Sequence, residues 1–82
     1  MSDPPTPERT DRAISIGDGS RITFSYLNWR GEASQRHVET YRVYWGATEW
    51  HPEPGWLLSA FDIEKREHRQ FAMKDMSNVE PA

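Results

Sequence analysis

Ten aromatic side chains, four of them tryptophan, are the groups in this 82-residue chain best placed to do chemistry. The chemistry open to them is recognition by stacking, which contributes about 1–3 kcal/mol per nucleic-acid base when a ring stands exposed. A domain this small also needs rings to fill its interior. Phe24, Trp56, Phe61 and Phe71 are therefore expected in the core. Trp29 and Trp50 are not explained by strand alternation, and each is either an exposed contact or a lid folded back over an open end.

Other chemistries find little support. His37, His51 and His68 are too far apart for a local metal motif, and no helix carries two of them one turn apart, so no metal and no cofactor are expected. There is no Cys to act as nucleophile or thiolate ligand. No Ser sits in a Gly-x-Ser-x-Gly turn, and Glu64 and Glu67 flank a charged turn where a solvated surface is the default. Gly17-Asp18-Gly19 is not followed by a helix pattern that could cradle a phosphate. The chain reads as a binding protein and not an enzyme.

The elements that must position these side chains are strands. Arg21 to Asn28 alternates Ile22, Phe24 and Tyr26 with Thr23, Ser25 and Leu27, the period of two of a half-buried strand. A turn at Gly31 leads into Gln35 to Trp45, where the slip of phase between Val38 and Tyr41 predicts a bulge or bend near Glu39 and Thr40. Pro52, Pro54 and two glycines force a loop over Gly46 to Gly55. Trp56 to Phe61 is apolar on both faces, as in a strand buried on two sides. His68 to Met73 places Arg69, Phe71 and Met73 on one face. Five or so short strands with tight connections predict a mostly β fold, a small closed or partly open barrel. Asp11 to Ile16 forms a short helical turn before it, or the first half of a hairpin.

Composition sets the boundaries and the compartment. Residues 1–10 hold three prolines and almost no large apolar side chains, so they and the tail 77–82 are expected to be disordered around a domain at 11–76. Nothing near the N-terminus has the apolar core of a signal peptide or the length of a membrane span, and a cytoplasmic protein with no membrane partner is expected. The net charge of −3 disfavours indiscriminate coating of nucleic acid. Between Arg21 and Asp75, however, bases and acids are equal in number, so a local basic patch on a neutral body remains open.

Taken in order, Ile22-Thr23-Phe24-Ser25-Tyr26, Gly31-Glu32, Arg36-His37-Val38, Trp56-Leu57-Leu58-Ser59-Ala60-Phe61-Asp62 and Arg69-Gln70-Phe71 resemble the WYL domain. That family's pattern is an alternating strand ending in Tyr, a Gly-Glu turn, an Arg-x-Val segment, the Trp-Tyr-Leu strand that names it, and an Arg-x-Phe segment. The resemblance runs from about Arg12 to Met76 and implies an SH3-like barrel of the Sm type. It implies, too, the sensor half of a bacterial transcription regulator, a module that binds a nucleotide or short single-stranded nucleic acid. Carried over by position, the ligand-binding residues would be Arg36 and Arg69, with Tyr26, Trp56 and His68 beside them.

A guanidinium suits that role because it holds phosphate bidentately and also stacks on a base; the competing role is a surface pair with Glu39 or Glu67. Three positions depart from the pattern: Leu57 replaces the Tyr, Thr40 a Pro after Arg-x-Val, and Asp75 an Arg after the Phe. With an aromatic and a cation missing, the alternative is a protein–protein interaction module or a self-associating barrel without a nucleic-acid ligand.

Overall fold

The alternating apolar residues fold as strands, and the computed structural model describes them over residues 14–82. The strands are β1 (Arg21–Leu27), β2 (Ala33–Gly46), β3 (Gly55–Asp62), β4 (Glu67–Ala72) and β5 (Met76–Pro81), with a 3-10 turn at Met73–Asp75 between the last two. They form one antiparallel sheet in the order β4-β3-β2-β1-β5. The expected mostly β fold of five strands is what is found, in a form compatible with a small barrel; no ladder joins the two end strands, β4 and β5. The residues 1–10 expected to be a disordered leader lie outside the described residues, as do 11–13 of the expected helical turn. Ile14–Ile16, the rest of that turn, are not helical.

Period-two alternation sends one face of every strand inward. Ile22, Phe24 and Tyr26 of β1, Val38 of β2, Leu58 and Ala60 of β3 and Phe71 of β4 make one core, and Ile14, Ile16, Met73, Met76 and Val79 close over it. Its centre is a trio of rings packed edge to face, Phe24–Phe71 at 5.2 Å, Tyr26–Phe71 at 5.0 Å and Phe24–Tyr26 at 6.2 Å, an arrangement that adds about 0.5–1.5 kcal/mol per pair beyond the area buried.

The bend expected in the second strand lies between Thr40 and Arg42, where the register against β3 shifts. Before it, β2 pairs with β1 over Ala33–Glu39 and with β3 from Val38 on; beyond it, with β3 alone. Because β4 reaches only as far as Leu57, the rungs Trp45–Trp56 and Gly46–Gly55 and the loop 47–54 extend past the rest of the sheet as a two-stranded ribbon.

Two expectations need correction. The tail 77–82 is not outside the domain: Met76–Pro81 is β5, paired with β1 through Tyr26–Met76, Ser25–Ser77, Thr23–Glu80 and Ile22–Pro81. Only Val79 and Met76 turn toward the core, and Pro81 sits where an edge strand tolerates a missing N–H. Trp56 is not a core residue either. Its strand is buried on both faces at Leu57 and Leu58, but Trp56 stands one rung beyond the end of β4 and is 57% exposed. Phe61, also expected inside, is half-buried.

Candidate functional site

The register determines where the expected ligand residues point. Arg36 is opposite Phe24 and two residues before Val38; Arg69 is opposite Ala60 and two before Phe71. Both therefore share the core face of the sheet with Tyr26, at the end where the apolar core gives way to polar groups. Trp56, two before Leu58, has the same parity. His68 does not: it faces the opposite side of β4, where its ring stacks on Tyr41 at 5.2 Å and meets Phe61 edge-on at 5.3 Å. All five residues border one wide, open cleft of about 1550 Å³, though the ring of His68 is turned to Tyr41 and Phe61.

The two arginines differ in their surroundings. Arg36 is 12% exposed and its Nη1 donates to Oδ2 of Asp62, itself 2% exposed, at 3.1 Å. The guanidinium lies over the Phe71 ring at 5.8 Å, and its Nε is buried with no partner among the described residues. Asp62 Oδ1 meanwhile accepts the backbone N–H groups of Glu64 and Lys65, 3.1 Å each, so the same carboxylate organises the β3–β4 turn. Arg69 is half-exposed and pairs with Glu67 two residues away, Nη1 to Oε2 at 2.7 Å. A ligand can take Arg69 from Glu67 at small cost, whereas Arg36 is committed to a buried pair.

Tyr26 joins core to cleft. Its hydroxyl accepts the Ala72 N–H at 3.0 Å, tying the last residue of β4 to β1. Burial pushes the phenol above its ordinary value of 10.0, with nearby Asp75 adding to the effect and the Ala72 N–H, Arg36 and Arg69 opposing it.

The four tryptophans line the same cleft. Trp29 is held at the tip of the β1–β2 turn, 87% exposed, because Asn28 Oδ1 accepts the N–H groups of Arg30 and Glu32 and Gly31 closes the turn at φ +80°. Trp50, 80% exposed, is presented in the same manner by Thr48, whose Oγ1 accepts the N–H groups of Trp50 and His51. Both rings stand exposed, the first of the two placements that their lack of strand phase left open. Trp45, 60% exposed, meets Trp56 edge to face at 5.3 Å across the ribbon; it escaped sequence reading because it fits the alternation of β2, and only the lack of a third strand beside it leaves it open.

Two of the three departures have local explanations, and nothing in the structure explains the third, Asp75. Thr40 is fully buried and fastens the segment before β1: its N–H and Oγ1 both donate to Ser20 O at 2.9 Å, while Oγ1 accepts the Gly17 N–H at 2.8 Å. A Pro there could make none of the three contacts. Leu57 is 1% exposed between Tyr44 and Ala72, an apolar filler rather than a contact. Asp75 turns a cationic position acidic, and the cleft lining holds Arg36, Arg69 and Lys74 against Glu49, Glu53, Glu67 and Asp75. No group of three metal-ligating side chains occurs among the described residues, nor any helix long and apolar enough to cross a membrane.

A single curled sheet with an aromatic cleft at the end of its core defines a small β binding module. The family model for the WYL domain matches residues 13–81, nearly the whole chain, and the protein belongs to that family, one of regulatory, ligand-sensing modules. The match includes β5, in keeping with its place in the sheet. Comparison with curated proteins and with solved structures found no match.

Proposed function

We propose that the cleft binds a short single-stranded nucleic acid, with Trp29 and Trp56 as stacking platforms and Arg69 as the phosphate contact. The observation that carries this reading is the convergence of exposed rings and a releasable guanidinium on one open cleft. Its open form, with four tryptophans spread along it, suits an extended ligand. With acids slightly outnumbering bases in the lining, affinity rests on stacking more than on phosphates. Arg36 serves by holding Phe71 and the β3–β4 turn in place, and His68 borders the cleft.

Titration of short single-stranded DNA and RNA across a salt series, followed by tryptophan fluorescence, tests this. Saturable quenching with a shallow salt slope, about −0.7 for each phosphate neutralised, is expected, and Arg69→Ala should remove roughly one such contact. No response at any salt from the folded protein refutes it. A protein partner or a second copy of the chain is the other reading, favoured by the acidic tilt of the lining.

A further inference from the structure

The cleft has two chemically different halves. Around the barrel end lie Arg36, Arg69 and Lys74; along the ribbon lie Trp45, Trp50 and Trp56 with Glu49 and Glu53. From Val43 to Glu64 the sequence contains no Lys or Arg. Three rings off the ribbon have one face met by the protein's own cations: Arg42 lies over Tyr44 at 4.5 Å, Arg36 over Phe71 at 5.8 Å and Arg30 over Trp29 at 5.0 Å, which still leaves Trp29 87% exposed. Among the described residues no such partner covers the three ribbon tryptophans.

We infer that the ribbon is a docking surface for a basic, extended segment of a partner protein, whose Arg or Lys side chains lie on the Trp45, Trp50 and Trp56 faces while Glu49 and Glu53 balance their charge. Ring faces attract a cation within about 6 Å, tryptophan most strongly, and two carboxylates with no neighbouring cation on the ribbon give that attraction a sign. Phosphates would be repelled beside the two glutamates, so this surface and the nucleic-acid end of the cleft meet only at Trp56, which borders both. Trp45 and Trp56, nearly perpendicular at 76°, form a corner with one ring on each side. The loop then brings Trp50 and both glutamates to the same cleft. This surface does not depend on the nucleic-acid reading, and a module with both could report ligand occupancy to the protein it grips.

The test uses the full chain and a blocked hexapeptide of alternating Arg and Gly, with its Glu counterpart as control. The four indole N–H resonances are followed by NMR. Saturable shifts at Trp45, Trp50 and Trp56 with the Arg peptide and none with the Glu peptide are expected. Glu49→Gln/Glu53→Gln should weaken binding by about three- to fivefold per carboxylate, the size of an exposed charge interaction, and Trp45→Ala should weaken it further. The same Gln variant should bind single-stranded DNA as well as the parent or better, whereas Arg69→Ala should affect the oligonucleotide alone. Equal response to both peptides, or Arg-peptide affinity unchanged in the Gln variant, would overturn the inference without touching the nucleic-acid reading. Loss of oligonucleotide binding alone would do the reverse.

Discussion

Replacing Arg36 should damage the fold before it damages recognition. Its guanidinium is the side-chain partner of a carboxylate that is 2% exposed, and removing one member of a buried pair costs about 3–5 kcal/mol because the other charge is left behind. Two features lower that figure here. Asp62 keeps the Glu64 and Lys65 N–H groups on its other oxygen, and Arg36→Met also removes the unpartnered Nε, a buried group whose own penalty is about 1–3 kcal/mol. The expected loss is about 2–4 kcal/mol, a large part of the roughly 4–12 kcal/mol that a chain of this size holds in reserve. At about 4–8 °C per kcal/mol, the midpoint of thermal unfolding should fall by about 8–32 °C.

Circular dichroism of urea and thermal unfolding reads this directly, with Arg36→Met compared against Arg36→Met/Asp62→Asn. The second change removes the stranded charge yet keeps an oxygen for the two turn N–H groups, so the double variant should return to within about 1 kcal/mol of the parent. An Arg36→Met protein as stable as the parent that fails to bind oligonucleotide would refute this reasoning, because Arg36 would then be a ligand contact and Asp62 only its holder.

Three other outcomes follow from the packing. The buried Tyr26 phenol has its pKa raised above 10.0 in the folded state, so the native protein binds the extra proton at alkaline pH. Its stabilising contribution is intact below pH 10 and is lost as pH rises through the folded value; in Tyr26→Phe this part of the alkaline decline should vanish. That variant should also be about 1–2 kcal/mol less stable at pH 7, from stranding the Ala72 N–H. Deleting residues 77–82 strips β5 from β1 and Val79 from the core, and should lower the urea midpoint and promote aggregation through the bared β1 edge. Gly17→Ala places a Cβ 3.4 Å from Arg42 Cα at φ +91°, and should lower stability by about 1–2 kcal/mol, read in the same unfolding curves.

Strand phase carried most of the fold into the sequence, and its failures are instructive. Arg21–Leu27 could be read because three large apolar residues alternate without interruption. Met76–Pro81 could not, because an edge strand with one side toward solvent needs few apolar contacts, and Ser77, Asn78 and Glu80 look like any polar tail. For Trp56, apolar character on both faces correctly predicted a buried strand, but how far each neighbouring strand extends is a tertiary fact. The signal for Arg36 was present: two residues before Val38, it had to face inward, and an inward guanidinium needs a buried acid. Which acid was not legible, since Asp62 comes from a strand 26 residues away, whereas Glu39 was the near neighbour.

The contrast between the two arginines also bears on how so small a domain can house a site at all. With one sheet and one core, the inward face must supply both the packing and the binding groups, and the two uses meet along β2 and β4. Phe71 and Tyr26 lie at that boundary, buried in the apolar core yet bordering the cleft. Arg36 is spent on closing the boundary, by capping Phe71 and the β3–β4 turn, which leaves Arg69 and the rings to meet a ligand. Exchanging Asp75 for Lys would add a cation beside Tyr26 without touching the core. If stacking dominates, such a change steepens the salt dependence of oligonucleotide binding and improves affinity at low salt only, since an added phosphate contact is the part of the interaction that salt removes. An equal gain at every salt concentration would mean that Asp75 had been blocking a ring, and that the cleft is closed by that carboxylate in the free protein.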